Sequence, residues 1–153
     1  MTSCLVNPRA CHETKMNIEL TTTPLKVAVI GAGPAGLAAA TTAAKRGHKV
    51  TLFDSASEIG GQFNIAKQIP GKEEFSETLR YFARQIALLN IDLKLNTRIS
   101  VSELNQSDFD QVILATGIKP RTPPIEGIEH SKVLSYIDVI THKKPVGKKV
   151  AVI

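Results

Sequence analysis

The stretch Gly31-Ala32-Gly33-Pro34-Ala35-Gly36 decides how this chain is read. An apolar run, Leu25-Lys26-Val27-Ala28-Val29-Ile30, precedes it. An alanine-rich stretch follows to Arg46, with Gly47 placed as a C-terminal cap. Val50-Thr51-Leu52-Phe53 then reads as a second buried strand, closed by Asp54. Strand, glycine turn, helix, strand is the order of two parallel strands joined by a crossover. Each glycine has its own task. Gly31 allows the tight turn, Gly33 leaves its backbone open to a pyrophosphate, and Gly36 lets the helix lie close to the sheet. The helix mouth offers N–H groups and a partial positive charge to phosphates, with Ala35 donating its amide from the first turn.

Asp54 stands about 20 residues after the first glycine, where a carboxylate accepts hydrogen bonds from an adenosine ribose. A carboxylate there repels a 2′-phosphate, so this first site is not expected to hold NADP. The context identifies an α/β, Rossmann-like, three-layer FAD/NAD(P)-binding domain with a parallel sheet, its site at the C-terminal ends of the strands.

Outward from that core, Ser57 to Lys72 reads as a glycine- and proline-containing loop. Phe75, Leu79, Phe82, Ile86 and Leu89 share one helical face. Ile91, Leu93 and Leu95 alternate with polar residues as in a half-buried strand, Phe109 to Ala115 is a further apolar strand, and Ile118 to His130 is irregular. The closing Val150-Ala151-Val152-Ile153 repeats Val27-Ala28-Val29-Ile30, each copy preceded by lysine. The division expected is a tail over 1–23, the dinucleotide domain over 24–145, and over 146–153 the first strand of a truncated second domain of the same kind.

The 153 residues suffice for one domain with a core, and a net charge of +5 calls for no nucleic acid, because no aromatic platform accompanies the lysines. No run reaches the ~18 apolar residues of a membrane span, and no secretory signal is visible, which points to the cytoplasm. Cys4 and Cys11 are too few for a metal site within the chain and argue against a disulfide framework. No catalytic acid or base stands out; His12, His48, His130 and His142 are scattered.

Two further signatures separate FAD from NAD. Glu58-Ile59-Gly60-Gly61-Gln62 and Ala115-Thr116-Gly117 resemble, in order and spacing, the secondary motifs of flavoproteins with two dinucleotide domains. In those proteins the paired glycines lie near the ribityl and pyrophosphate groups, and the Ala-Thr-Gly strand end passes close to the cofactor. Gly61, Thr116 and Gly117 are cofactor-site candidates on that ground.

With Cys4-Leu5-Val6-Asn7-Pro8-Arg9-Ala10-Cys11, Gly60-Gly61-Gln62-Phe63-Asn64-Ile65-Ala66-Lys67, Ile69-Pro70-Gly71-Lys72-Glu73-Glu74-Phe75 and Pro120-Arg121-Thr122-Pro123-Pro124, the chain resembles the bacterial NADPH-dependent 2,4-dienoyl-CoA reductases over essentially its whole length. That family joins an FMN-binding barrel, a 4Fe-4S cluster, an FAD domain and an NADPH domain. Electrons run from NADPH through FAD, cluster and FMN to a dienoyl-CoA in the β-oxidation of unsaturated fatty acids. The resemblance implies FAD contacts at Ala35, Asp54, Gln62, Lys72 and Ile99, the last through its backbone. It matches Cys4 to the last of four cluster cysteines; the other three are missing, so ligation depends on residues outside this sequence. Dienoyl-CoA and NADPH would be met by the missing barrel and NADPH domains. Two alternatives stay open: the nucleotide domain of a related amine dehydrogenase, and a non-catalytic ADP-binding module.

Overall fold

Four short apolar segments build one parallel sheet. In the computed structural model, which describes residues 4, 7 and 9–153, β1 (Lys26–Ile30) lies between β2 (Lys49–Phe53) and β4 (Gln111–Leu114), and β3 (Asp92–Lys94) pairs with β2, giving the order β3-β2-β1-β4. Val27 stands opposite Val50 and Gln111, and Ile30 opposite Phe53 and Leu114, all in parallel register. Parts of the N-terminal segment, residues 1–3, 5, 6 and 8, lie outside the described residues, so the motif running from Cys4 to Cys11 is described only in part.

α1 (Pro34–Lys45) begins with a proline, whose missing N–H costs nothing at a helix start. Its alanines allow close approach to the sheet, and Gly36, Leu37, Ala40 and Thr41 are buried. The Thr41 hydroxyl donates to the Leu37 carbonyl at 2.8 Å, so its burial leaves no polar group unmet. α3 (Phe75–Leu88) buries Thr78, Leu79, Phe82 and Ile86, the face expected from its spacing. Both helices close one core with Val27, Val29, Val50 and Leu52, which project from the same side of the sheet. The connection from β3 to β4 reverses direction past β1. A right-handed crossover of that kind lies on the opposite face, which here carries α4 (Val101–Gln106) with no buried residue. The third layer is therefore thin, and Val112, Ile113 and Leu114 of β4 are exposed.

Several expectations shift. The stretch from Ser57 to Lys72 contains a short helix, α2 (Phe63–Ala66), and α5 (Tyr136–Ile140) follows the stretch Ile118 to His130, which forms no helix or strand. Both α4 and α5 start at a capping box, Ser100 with Glu103 and Ser135 with Asp138, in which serine and acid satisfy each other's backbone amides. The third and fourth strands are shorter than read; ahead of the fourth, Phe109 lies outside the ladder and meets Phe53 edge-on, ring centroids 6.0 Å apart. Residues 146–153, read as the opening of a second domain, form no strand among the described residues, and Val150, Val152 and Ile153 are exposed. A strand exists by pairing, and among the described residues no ladder takes them in. Among the described residues no helix is long and apolar enough to cross a membrane.

Candidate functional site

The strand order reverses between β1 and β4, and the glycine turn sits at the C-terminal ends of these two strands, the place where open α/β sheets bind ligands. Three contacts shape it. Gly31 has φ +110°, and a Cβ there would fall 2.2 Å from the Ala115 carbonyl oxygen. Only glycine serves at that point, for reasons of conformation and of space. A Cβ on Gly36 would fall 1.7 Å from the Gly31 carbonyl oxygen, so the helix rests directly on the turn. Gly33 differs: a Cβ on it would meet nothing within 4 Å. The protein's own packing does not require glycine there. The bare backbone instead borders open space.

That space faces uncapped donors. Gly33 is the N-cap of α1, and no side chain caps the helix. Pro34 has no N–H, and among the described residues the amides of Gly33, Ala35 and Gly36 find no acceptor. Twelve helical residues stand behind them, so the mouth combines orphan donors with a dipole. The second wall comes from the paired glycines. Gly61, at φ +51°, lies so near that a Cβ on it would be 3.1 Å from the Gly33 Cα, and the Gly60 amide donates to the Ala32 carbonyl at 2.8 Å.

Asp54 borders the same turn. Its Oδ2 accepts from the Ala32 amide at 2.6 Å and its Oδ1 from the Ala56 amide at 2.8 Å. A carboxylate has about four lone-pair sites, so two backbone donors leave capacity for a sugar hydroxyl. The carboxylate also pins the glycine turn to the end of β2, a task that spacing alone does not reveal.

The other candidates fall into two groups. Gly61, Thr116 and Gly117 sit on segments that border the turn through Gly33 and Ala115. Ile99 is half-buried and follows Thr97, whose amide donates to the Asp54 carbonyl at 2.8 Å. Gln62 is exposed beside Gly61, and its Oε1 accepts from the Tyr136 hydroxyl at 3.4 Å. Lys72 is exposed between α2 and α3; its amide donates to the Ile69 carbonyl and its carbonyl accepts from the Phe75 amide, and no described contact ties its side chain to the mouth. Cys4 and Cys11 are both exposed, and no group of three or more His, Cys, Asp or Glu side chains gathers among the described residues.

The profile of pyridine nucleotide-disulphide oxidoreductases matches residues 25–153. The chain belongs to that family. As a pyridine nucleotide-disulphide oxidoreductase domain it is an FAD/NAD(P)-binding unit, and the open, uncapped mouth with its bare Gly33 fits the pyrophosphate of such a group. Relatives include a metal reductase of Desulforamulus reducens, 35% identical over 99% of this chain and 23% of that protein. A bilirubin reductase of Mediterraneibacter gnavus is likewise 35% identical, over 99% of this chain and 24% of its own length. Among solved structures, a 2-naphthoyl-CoA reductase in complex with 2-naphthoyl-CoA superposes with a TM-score of 0.89 at 37% identity, covering 95% of this chain and 22% of that one. The chain thus spans roughly a quarter of the proteins it matches.

Proposed function

We propose that this chain holds the ADP portion of FAD within an enzyme that passes electrons from NADPH through FAD, a 4Fe-4S cluster and FMN to a 2,4-dienoyl-CoA. One observation carries the FAD part: the unobstructed Gly33 backbone at an uncapped helix mouth, with Gly61 against it and Asp54 beside it. The Gly33 and Ala35 amides take the phosphates, Asp54 takes the ribose, and Gln62 lies at the mouth's outer edge. When bound, FAD supplies the electron transfer; the chain orients it and presents a fixed positive field to its phosphates. The thioester part rests on the sequence resemblance and on the likeness to a reductase solved with an aromatic CoA thioester. Cys4 would be one cluster ligand, the remaining three coming from elsewhere in a longer polypeptide. FMN, substrate and NADPH would bind domains outside these residues, in the cytoplasm. Residues 146–153 would lead into the NADPH domain.

An amine dehydrogenase is the second reading, favoured by a TM-score of 0.85 at 29% identity to a 6-hydroxypseudooxynicotine amine oxidase of Pseudomonas geniculata, over 94% of this chain and 24% of that one. The test of the site is to add FAD to the purified chain and follow flavin absorption through gel filtration. Co-elution supports the assignment; retention of ADP but not FAD points to a nucleotide-binding module without redox function. Pairing the chain with the parent's missing domains and offering NADPH with a dienoyl-CoA or an amine separates the two enzymatic readings.

A further inference from the structure

Two polar side chains outside the glycine turn have no part in the site as described so far. Asn64 and Lys67 lie one turn apart on and just after α2, in a region otherwise packed by Ile59, Phe63 and Leu79. The Asn64 Nδ2 donates to the Ile59 carbonyl at 2.9 Å, and its Oδ1 accepts from the Lys67 Nζ at 2.8 Å. Glu58 Oε2 stands 3.9 Å from the same ammonium. The Asn64 amide donates to the Gly61 carbonyl at 3.1 Å. Asn64 therefore grips the loop on both sides of Gly60, at Ile59 and at Gly61. Its carboxamide is also packed against Gly60, where a Cβ would fall 2.9 Å from Nδ2 and 2.8 Å from a Leu79 methyl. Lys67 is the more buried member of its ion pair, its side chain 28% exposed against 62% for Glu58.

The loop so held is the one that brings Gly61 against Gly33 and ties Gly60 to the Ala32 carbonyl. We propose that Asn64 and Lys67 are positioning residues for the diphosphate: they hold the Gly60–Gly61 loop as the second wall of the helix mouth. The inference rests on the FAD reading of that mouth. Neither side chain need touch the ligand. Lys67 orients the Asn64 carboxamide by occupying its oxygen, which leaves the Nδ2 aimed at the Ile59 carbonyl. The loop's two glycines, at φ +123° and +51°, have little intrinsic preference for that shape and take it because it is enforced. With the grip lost, the wall recedes from the second phosphate, whereas the ribose end, set by Asp54, stays in place.

The test is calorimetric titration of the whole chain with FAD, ADP and AMP, for the native protein, Lys67→Met, Asn64→Ala and Lys67→Arg. Lys67→Met is expected to weaken FAD and ADP roughly tenfold, the worth of about one hydrogen bond, while AMP changes less than about twofold. Lys67→Arg, which still donates to Asn64, should restore most of the loss. Asn64→Ala should behave as Lys67→Met, and if it does not fold, the lysine variants decide alone. An equal loss for AMP and ADP, or no loss in Lys67→Met, overturns the positioning role while leaving the FAD site standing. Failure of the native chain to bind FAD or ADP overturns both.

Discussion

Replacing Gly33 with valine should separate ligand binding from folding. Gly33 has φ −74° and ψ 179°, extended backbone open to any residue, and a Cβ on it would meet nothing within 4 Å. The loss of a favourable N-cap residue and the gain in chain stiffness oppose each other, each about 0.5–1 kcal/mol, so the unliganded melting temperature should move by no more than about 3 °C. Two orphan amides would lose their access to phosphate, and a hydrogen bond to a charged group contributes about 1.5–3 kcal/mol. Two such bonds give at least about 3 kcal/mol, a loss of FAD affinity of a hundredfold or more. Gly36→Ala is the contrasting control. Its Cβ would fall 1.7 Å from the backbone oxygen of Gly31, which has no flexible end to turn aside, so this variant should be destabilised by more than about 3 kcal/mol. FAD fluorescence titration and thermal circular dichroism on both variants give the answer. Native-like FAD affinity in Gly33→Val, or a melting temperature as depressed as that of Gly36→Ala, would refute the placement of the ligand.

Asp54→Ala strips the acceptor from the Ala32 and Ala56 amides and should lower unfolding free energy by about 1–3 kcal/mol even without ligand; an unchanged urea midpoint would show that the carboxylate does not pin the turn. The Lys144 ammonium first, then the Ser135 hydroxyl and amide, hold the Asp138 carboxyl well below the usual carboxylate range. A depressed folded pKa contributes stability present above the unfolded value near 4 and lost as pH falls below it. Carbon-detected NMR titration of Asp138 should therefore show a low midpoint that rises in Ser135→Ala, and an ordinary midpoint in the native chain would remove the effect. The exposed apolar side chains of β4 sit on an edge strand, and such edges invite association. Ile113→Lys should reduce concentration-dependent light scattering of the purified chain, and scattering unaltered by that charge would place any association elsewhere.

Much of the molecule was legible because its signals are local. The turn from Gly31 to Gly36, the face of α3 and the acid at the end of β2 depend on spacing, and spacing survives in a sequence. The second task of Asp54 was not legible, since it depends on Ala32 and Ala56 amides that only the fold brings to one carboxylate. Asn64 and Lys67 escaped for the same reason: an asparagine that grips Ile59 through its carboxamide and Gly61 through its backbone amide looks, in sequence, like any polar residue in a loop. The starts of α4 and α5 were written in Ser100-Val101-Ser102-Glu103 and Ser135-Tyr136-Ile137-Asp138, short patterns that long-period reading overlooks. Val150–Ile153 has the composition of a strand but, among the described residues, no ladder to join.

The contact between Gly31 and the Ala115 carbonyl has a consequence for biosynthesis. The turn is translated early, but the residue that backs it arrives only after all four strands and most of the helices have been made. A nascent chain stopped before Gln111 carries the whole glycine motif with β1 still unpaired on the β4 side, and closing so long a loop is entropically costly. Recognition of nucleotide is therefore acquired late on the ribosome, and a truncation just upstream of β4 should yield a polypeptide that reads correctly as a motif yet has no backing behind its first glycine.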